Sequence, residues 1–158
     1  ILVVPAGTPV EFPNRYPFFH NVFSLFEGKR FDLGLYEAGT TRTVRFDHPG
    51  VSYIFCNIHP EMSAAVIALK TPYYAVSDAS GMLNIPSVPA GRYQMQVWYE
   101  GSSPETLKKL TREITISTTE SGLGTVRVPE DIPVSNHKNK YGRDYDSPTT
   151  KNSEYGPS

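Results

Sequence analysis

The chain has 158 residues, 15 Lys and Arg against 16 Asp and Glu, and one cysteine, Cys56. A net charge of −1 lacks the basic excess of a nucleic-acid binder, and no apolar run approaches the ~20 residues of a membrane-spanning helix. The lone cysteine excludes an internal disulfide and any multi-cysteine zinc or iron–sulfur site, leaving a core thiol, a nucleophile or a metal ligand.

The length suits one medium domain or two small ones. The first residue is Ile1 and not Met, so a processed or trimmed product is expected. In chain order, the first clear elements are strands at 42–46 and 51–56, rich in β-branched and aromatic residues. Asp47-His48-Pro49-Gly50 between them is turn chemistry. In the second strand Val51, Tyr53 and Phe55 face one way and Ser52, Ile54 and Cys56 the other. Residues 64–69 form an almost continuous apolar run, the pattern of a buried strand.

Lys70-Thr71-Pro72 reads as a joint. Beyond it, strands are expected at 73–77, 82–85, 92–100, 112–117 and 125–128, separated by Gly- and Pro-containing turns at 78–81 and 86–91. One short helix is expected at 103–110, with Ser103 as cap and Pro104 at its first position. Residues 129–158 contain no Leu, Phe or Met and cannot bury enough apolar area to fold alone. They form a polar tail, either disordered or draped over the body. The predicted architecture is therefore all-β, with two small β-sandwiches over 1–70 and 71–128 and an irregular tail over 129–158.

The chemistry concentrates in Cys56-Asn57-Ile58-His59-Pro60-Glu61-Met62. A thiolate, an imidazole and a thioether at i, i+3 and i+6 are the soft and intermediate donors that suit copper, and a short inter-strand loop can wrap them around one ion. Of the four histidines, His48 lies in a turn and His137 in the tail. His20, between Phe18-Phe19 and Val22-Phe23, is the remaining candidate for a fourth ligand. Two His, one Cys and a weak axial Met make the blue-copper arrangement. Each residue also has a plainer reading. Cys56 suits a buried thiol, Met62 core filler and His59 a surface loop, whereas Pro60 beside His59 would stiffen that loop and help hold the ring in place for a ligand.

His20-Asn21-Val22 followed by Cys56-x-x-His59-x-x-Met62 resembles the cupredoxins, the type 1 copper proteins. The short ligand spacings look most like the plastocyanin, amicyanin and pseudoazurin branch. Residues 3–14 are similar to the strand–turn–strand before the first His ligand, and residues 50–56 to the strand that delivers the Cys. The resemblance covers about residues 1–70. It implies a Greek-key β-sandwich, one copper ion held by His20, Cys56, His59 and Met62, and a role for Asn21 in tying the His20 strand to the Cys56 loop. The plainer role for Asn21 is a turn cap. Pro17, Phe18, Phe19 and Pro60 are candidates for an apolar docking rim around His59, against ordinary core packing for the two phenylalanines.

Residues 78–81 and 85–93 resemble the carboxypeptidase regulatory-like, transthyretin-related sandwich domains, accessory modules without catalytic residues. The pairing of the two modules is similar to exported bacterial proteins described as plastocyanin-like or methylamine-utilisation-like, which implies the periplasm. The function expected is one-electron transfer to a redox protein partner, with no catalysis. The alternative is a copper module for storage, delivery or sensing, which would favour Met-rich or Cys-x-x-Cys sites. Multi-copper enzymes would need His-x-His pairs, which the sequence lacks, and a Cys56–His59 hydrolase has no evident orienting partner.

Overall fold

The computed structural model describes residues 1–25, 28–119, 122–132 and 138–145. They divide into two compact units, one of Ile1–Pro72 with the described part of Asn136–Ser158, and one of Tyr73–Ser135.

Among the described residues of the first unit, seven strands form: β1 (Leu2–Pro5), β2 (Thr8–Pro13), β3 (Val22–Ser24), β4 (Phe31–Asp32), β5 (Thr41–Phe46), β6 (Gly50–Cys56) and β7 (Ser63–Leu69). Five of them form one sheet in the order β1-β7-β6-β3-β4, and β2 pairs with β5 in another. β1 runs parallel to β7, with Leu2 opposite Val66, while β6 and β7 are antiparallel with Ile54 opposite Ala64. The inward residues of the two sheets meet in one core of Val4, Val10, Val44, Phe46, Ile54, Val66 and Ala68, flanked by Phe12, Val22, Phe31 and Leu33. Aligned packing of two inner faces is the geometry of a β-sandwich.

The alternation read from β6 holds: Ser52, Ile54 and Cys56 are buried, and Val51, Tyr53 and Phe55 are half-buried. β7 lies between β1 and β6 in the sheet, and Ala65, Val66, Ile67 and Ala68 are all buried, which explains its unbroken apolar run. Phe46, 1% exposed, fixes the centre of the core edge-on to Phe31. Burying such a side chain contributes roughly 1.5–3 kcal/mol.

The second unit departs from the sequence reading. Among its described residues only two strands form, β8 (Gly91–Met95) and β9 (Arg112–Ile116), paired antiparallel with Tyr93 opposite Ile114. Residues 73–77, 82–85 and 125–128 are not strands, so five expected strands reduce to two and the described residues do not make a second sandwich. The physical reason is burial. Val76, Met82 and Leu83 are exposed, and Ser102 is the only buried residue described in this unit. Alternation without a face to cover gives strand pairing little reward. The turn at 78–81 does form, with the Asp78 carboxylate accepting from the Ser80 and Met82 N–H groups at 2.8 and 3.0 Å.

The helix α1 (Pro104–Leu110) begins as its sequence dictates: Ser103 caps it by accepting from the Thr106 N–H at 3.3 Å. Asp131 reinforces the cap, accepting from the Ser103 N–H at 2.6 Å and from the Ser103 hydroxyl at 2.8 Å.

Of the tail, residues 129–132 and 138–145 are described, and His137 lies outside the described residues. The segment 138–145 is draped against the first unit, with Lys140 bonded to Asn57 and Asp32. Among the described residues, no helix is long and apolar enough to cross a membrane.

Candidate metal centre

One end of the five-stranded sheet gathers the donors. β3 begins two residues after His20 and β6 ends on Cys56, and the two strands pair with Val22 opposite Cys56. His20 is itself fixed by a two-way backbone bridge to Tyr36, with N–H to O distances of 3.1 and 3.0 Å. The loop 57–62 closes on itself. The Cys56 N–H donates to the Met62 carbonyl at 3.3 Å and the Met62 N–H to the His59 carbonyl at 3.1 Å.

This geometry brings Cys56 Sγ to 3.7 Å from His20 Nδ1 and 3.5 Å from His59 Nδ1. All three donor atoms lie within 4.8 Å of one another. A metal about 2.3 Å from sulfur and about 2.0 Å from nitrogen, at trigonal to tetrahedral angles, separates the two donors by roughly 3.5–3.8 Å. The observed spacings match, so the residues fit a metal ion. Cys56 and His20 are buried, at 2% and 4% exposure, whereas His59 is half-buried. Burial, followed by the charge of His59, holds the His20 pKa below its ordinary value, which keeps the ring in the neutral form a ligand needs.

Met62 ends the same loop, half-buried, immediately before β7. Asn21 is buried, and its tie to the Cys56 loop runs through the backbone: its carbonyl accepts from the Asn57 N–H at 2.9 Å. Its side-chain amide instead donates to Asp32 Oδ1 at 2.5 Å. Pro17, Phe18, Phe19 and Pro60 are all exposed, so core packing is not the role of either phenylalanine. Phe18 reaches the His59 ring at 6.4 Å between centroids. His48, in its turn, is exposed.

Several contributors were not singled out from the sequence. Asn14, 1% exposed, donates to the carbonyls of Phe18 at 2.6 Å and Tyr36 at 3.2 Å, and accepts from the Tyr16 N–H at 3.1 Å. It staples the loop that presents His20. The signal was available, since an Asn that bonds the backbone two residues on marks an Asx turn. Tyr36 is buried beside His20, and Tyr16 stands edge-on to the same ring at 5.7 Å. Burial, with a lesser push from Cys56, raises the Tyr36 phenol above its ordinary pKa. Burial works against the charged form of Asp32, but hydrogen bonds from Lys140, the Gly34 N–H and Asn21 hold it below the usual carboxylate range.

No family model matches the chain, and no curated protein matches it. Two solved structures are similar to part of it. The purple cupredoxin from Nitrosopumilus maritimus is 28% identical, over 43% of this chain and 76% of that chain, with a TM-score of 0.40. The Cu-containing nitrite reductase (NirK) from Thermus scotoductus SA-01 is 25% identical, over 44% of this chain and 19% of that chain, with a TM-score of 0.42. The centre stands on its own donors. Two imidazoles and a thiolate in van der Waals reach of one point, with a thioether on the same loop, form the donor set of a type 1 copper site.

Proposed function

We propose that the first unit is a cupredoxin-type one-electron carrier that holds a single copper ion with His20, Cys56, His59 and Met62. The convergence of Cys56 Sγ with two imidazole Nδ1 atoms carries this reading. When bound, copper supplies a one-electron couple. The chain supplies rigidity: the His20–Tyr36 bridge, the closed 57–62 loop and the Asn21–Asn57 bond hold the donors in one arrangement for both oxidation states. Burial of Cys56 and His20 excludes water and slows exchange of the ion, which favours electron transfer over storage or delivery.

His59 is the half-buried ligand, and beside it lie the exposed Phe18 and Pro60, with Pro17 and Phe19 adjacent in sequence. We assign this rim to docking of a redox protein. With a net charge of −1, contact is apolar and brief, over an interface below roughly 1,200 Å². The second unit, Tyr73–Ser135, is an accessory module without catalytic residues, and the protein is exported to the periplasm. Both rest on the sequence resemblance alone, and cell fractionation tests the latter.

Reconstitution with copper(II) tests the function. An intense visible thiolate-to-copper band, absent in Cys56→Ser, together with fast electron self-exchange, is the expected result. A coloured protein with slow exchange would favour storage, and a colourless one would overturn copper ligation by the thiol.

A further inference from the structure

We propose that the C-terminal segment 138–145 is a working part of the metal centre, with Tyr145 as a positioning residue that holds the Cys56 ligand through its main chain. The starting point is a gap in the β6–β7 ladder. The Cys56 N–H donates to the Met62 carbonyl, but the reciprocal Met62 N–H turns away to the His59 carbonyl as the loop closes. The Cys56 carbonyl is thereby left without its ladder donor at the point where the thiolate ligand is presented. The Tyr145 hydroxyl fills that place, donating to the Cys56 carbonyl at 2.6 Å across 89 residues of sequence.

Lys140 secures the same segment to both sides of the site. Its N–H donates to Asn57 Oδ1 at 3.0 Å, next to Cys56. Its ammonium pairs with Asp32 Oδ2 at 2.9 Å, and the other oxygen of Asp32 accepts from Asn21, next to His20. The Lys140 side chain is only 18% exposed, unusual for a lysine and a mark of a fixed contact. Within the segment, Asn139 Oδ1 accepts from the N–H groups of Tyr141 and Arg143 at 3.0 and 3.1 Å, which sets the turn between Lys140 and Tyr145. A strap from the far end of the chain therefore contacts the backbone of Cys56 and its neighbour Asn57, and reaches Asn21 beside His20 through Asp32.

Two effects follow. A hydroxyl aimed at the Cys56 carbonyl places the positive end of its dipole near the thiolate, which favours the electron-rich, reduced state. The strap also opposes opening of the loop, whether or not an ion is bound. The first effect rests on the copper reading above; the second does not.

The test uses the full-length chain with Tyr145→Phe, and Tyr99→Phe as a matched loss of a hydroxyl bond in the other unit, where Tyr99 donates to Glu130. In the metal-free protein, alkylation of Cys56 by iodoacetamide is expected to be about fivefold faster in Tyr145→Phe and unchanged in Tyr99→Phe. In the copper-loaded protein, the reduced-to-oxidised ratio is expected to fall about threefold in Tyr145→Phe, a potential lower by about 28 mV. An unchanged alkylation rate overturns the proposal whatever metal the site takes. An unshifted potential in a chain that binds copper also overturns it, because a purely structural tie would leave the potential alone. Faster alkylation in a chain that takes up no copper supports the strap and removes the copper reading instead.

Discussion

Replacing Asn14 by Ala tests how the loop before β3 delivers His20. The side chain is 1% exposed and makes three bonds: two from its amide to the Phe18 and Tyr36 carbonyls, and one accepted from the Tyr16 N–H. Ala leaves all three backbone groups without that partner. At about 1 kcal/mol net for each bond, the expected destabilisation is about 3 kcal/mol. With a urea dependence of about 1.5 kcal/mol/M for a unit of this size, the unfolding midpoint falls by about 2 M. Far-ultraviolet circular dichroism during urea titration measures it. The loop also carries His20 toward Cys56, so copper affinity is expected to drop about tenfold or more in the same variant. Asn14→Asp keeps only the Tyr16 bond and faces two carbonyls with a carboxylate, so it should be no better than Ala. A midpoint within a few tenths of a molar of wild type, with unchanged copper affinity, would refute the view that Asn14 organises this end of the sheet.

Phe46→Ala empties the centre of the sandwich core and is expected to cost about 3–5 kcal/mol, read from the same urea titration. Asp32 is held below its ordinary pKa of 3.8, so the folded state binds fewer protons there than the unfolded chain. Its contribution is therefore complete above that value and lost as pH falls through the depressed one. The stability gap between wild type and Asp32→Asn should accordingly be constant at neutral pH and close below about pH 4. A gap that widens on acidification would reverse the assignment. Met62→Ala is expected to keep copper and its visible band while shifting the reduction potential, and complete loss of the ion would contradict a weak axial role.

The first unit was legible because its strands bury a face. In β6, period two survives intact from sequence to structure, and in β7 the run Ala65–Ala68 is unbroken because all four residues are buried. The donor cluster was legible because Cys56 and His59 share one short loop, and His20 is the histidine that precedes a strand among aromatic neighbours. The second unit misled for the converse reason: Val76, Met82 and Leu83 sit in short apolar runs bounded by turns, as strand residues do, but remain in solvent. The sequence offers Tyr145 only as an anchor of the tail or a partner contact, without choosing between them, and does not mark Lys140. Their partners Asp32, Asn57 and Cys56 lie 83 to 108 residues away, and no local periodicity encodes a contact of that separation. Nor does local sequence distinguish an Asn21 that ties two strands by its side chain from one that does so by its carbonyl.

X-ray absorption at the copper edge of the loaded protein, in both oxidation states, tests the central claim most directly. Two nitrogen donors and one sulfur at short distance, changing little on reduction and reduced to nitrogen and oxygen alone in Cys56→Ser, is the result that follows from the convergence of His20, Cys56 and His59. A shell without short sulfur in the wild-type protein would contradict it.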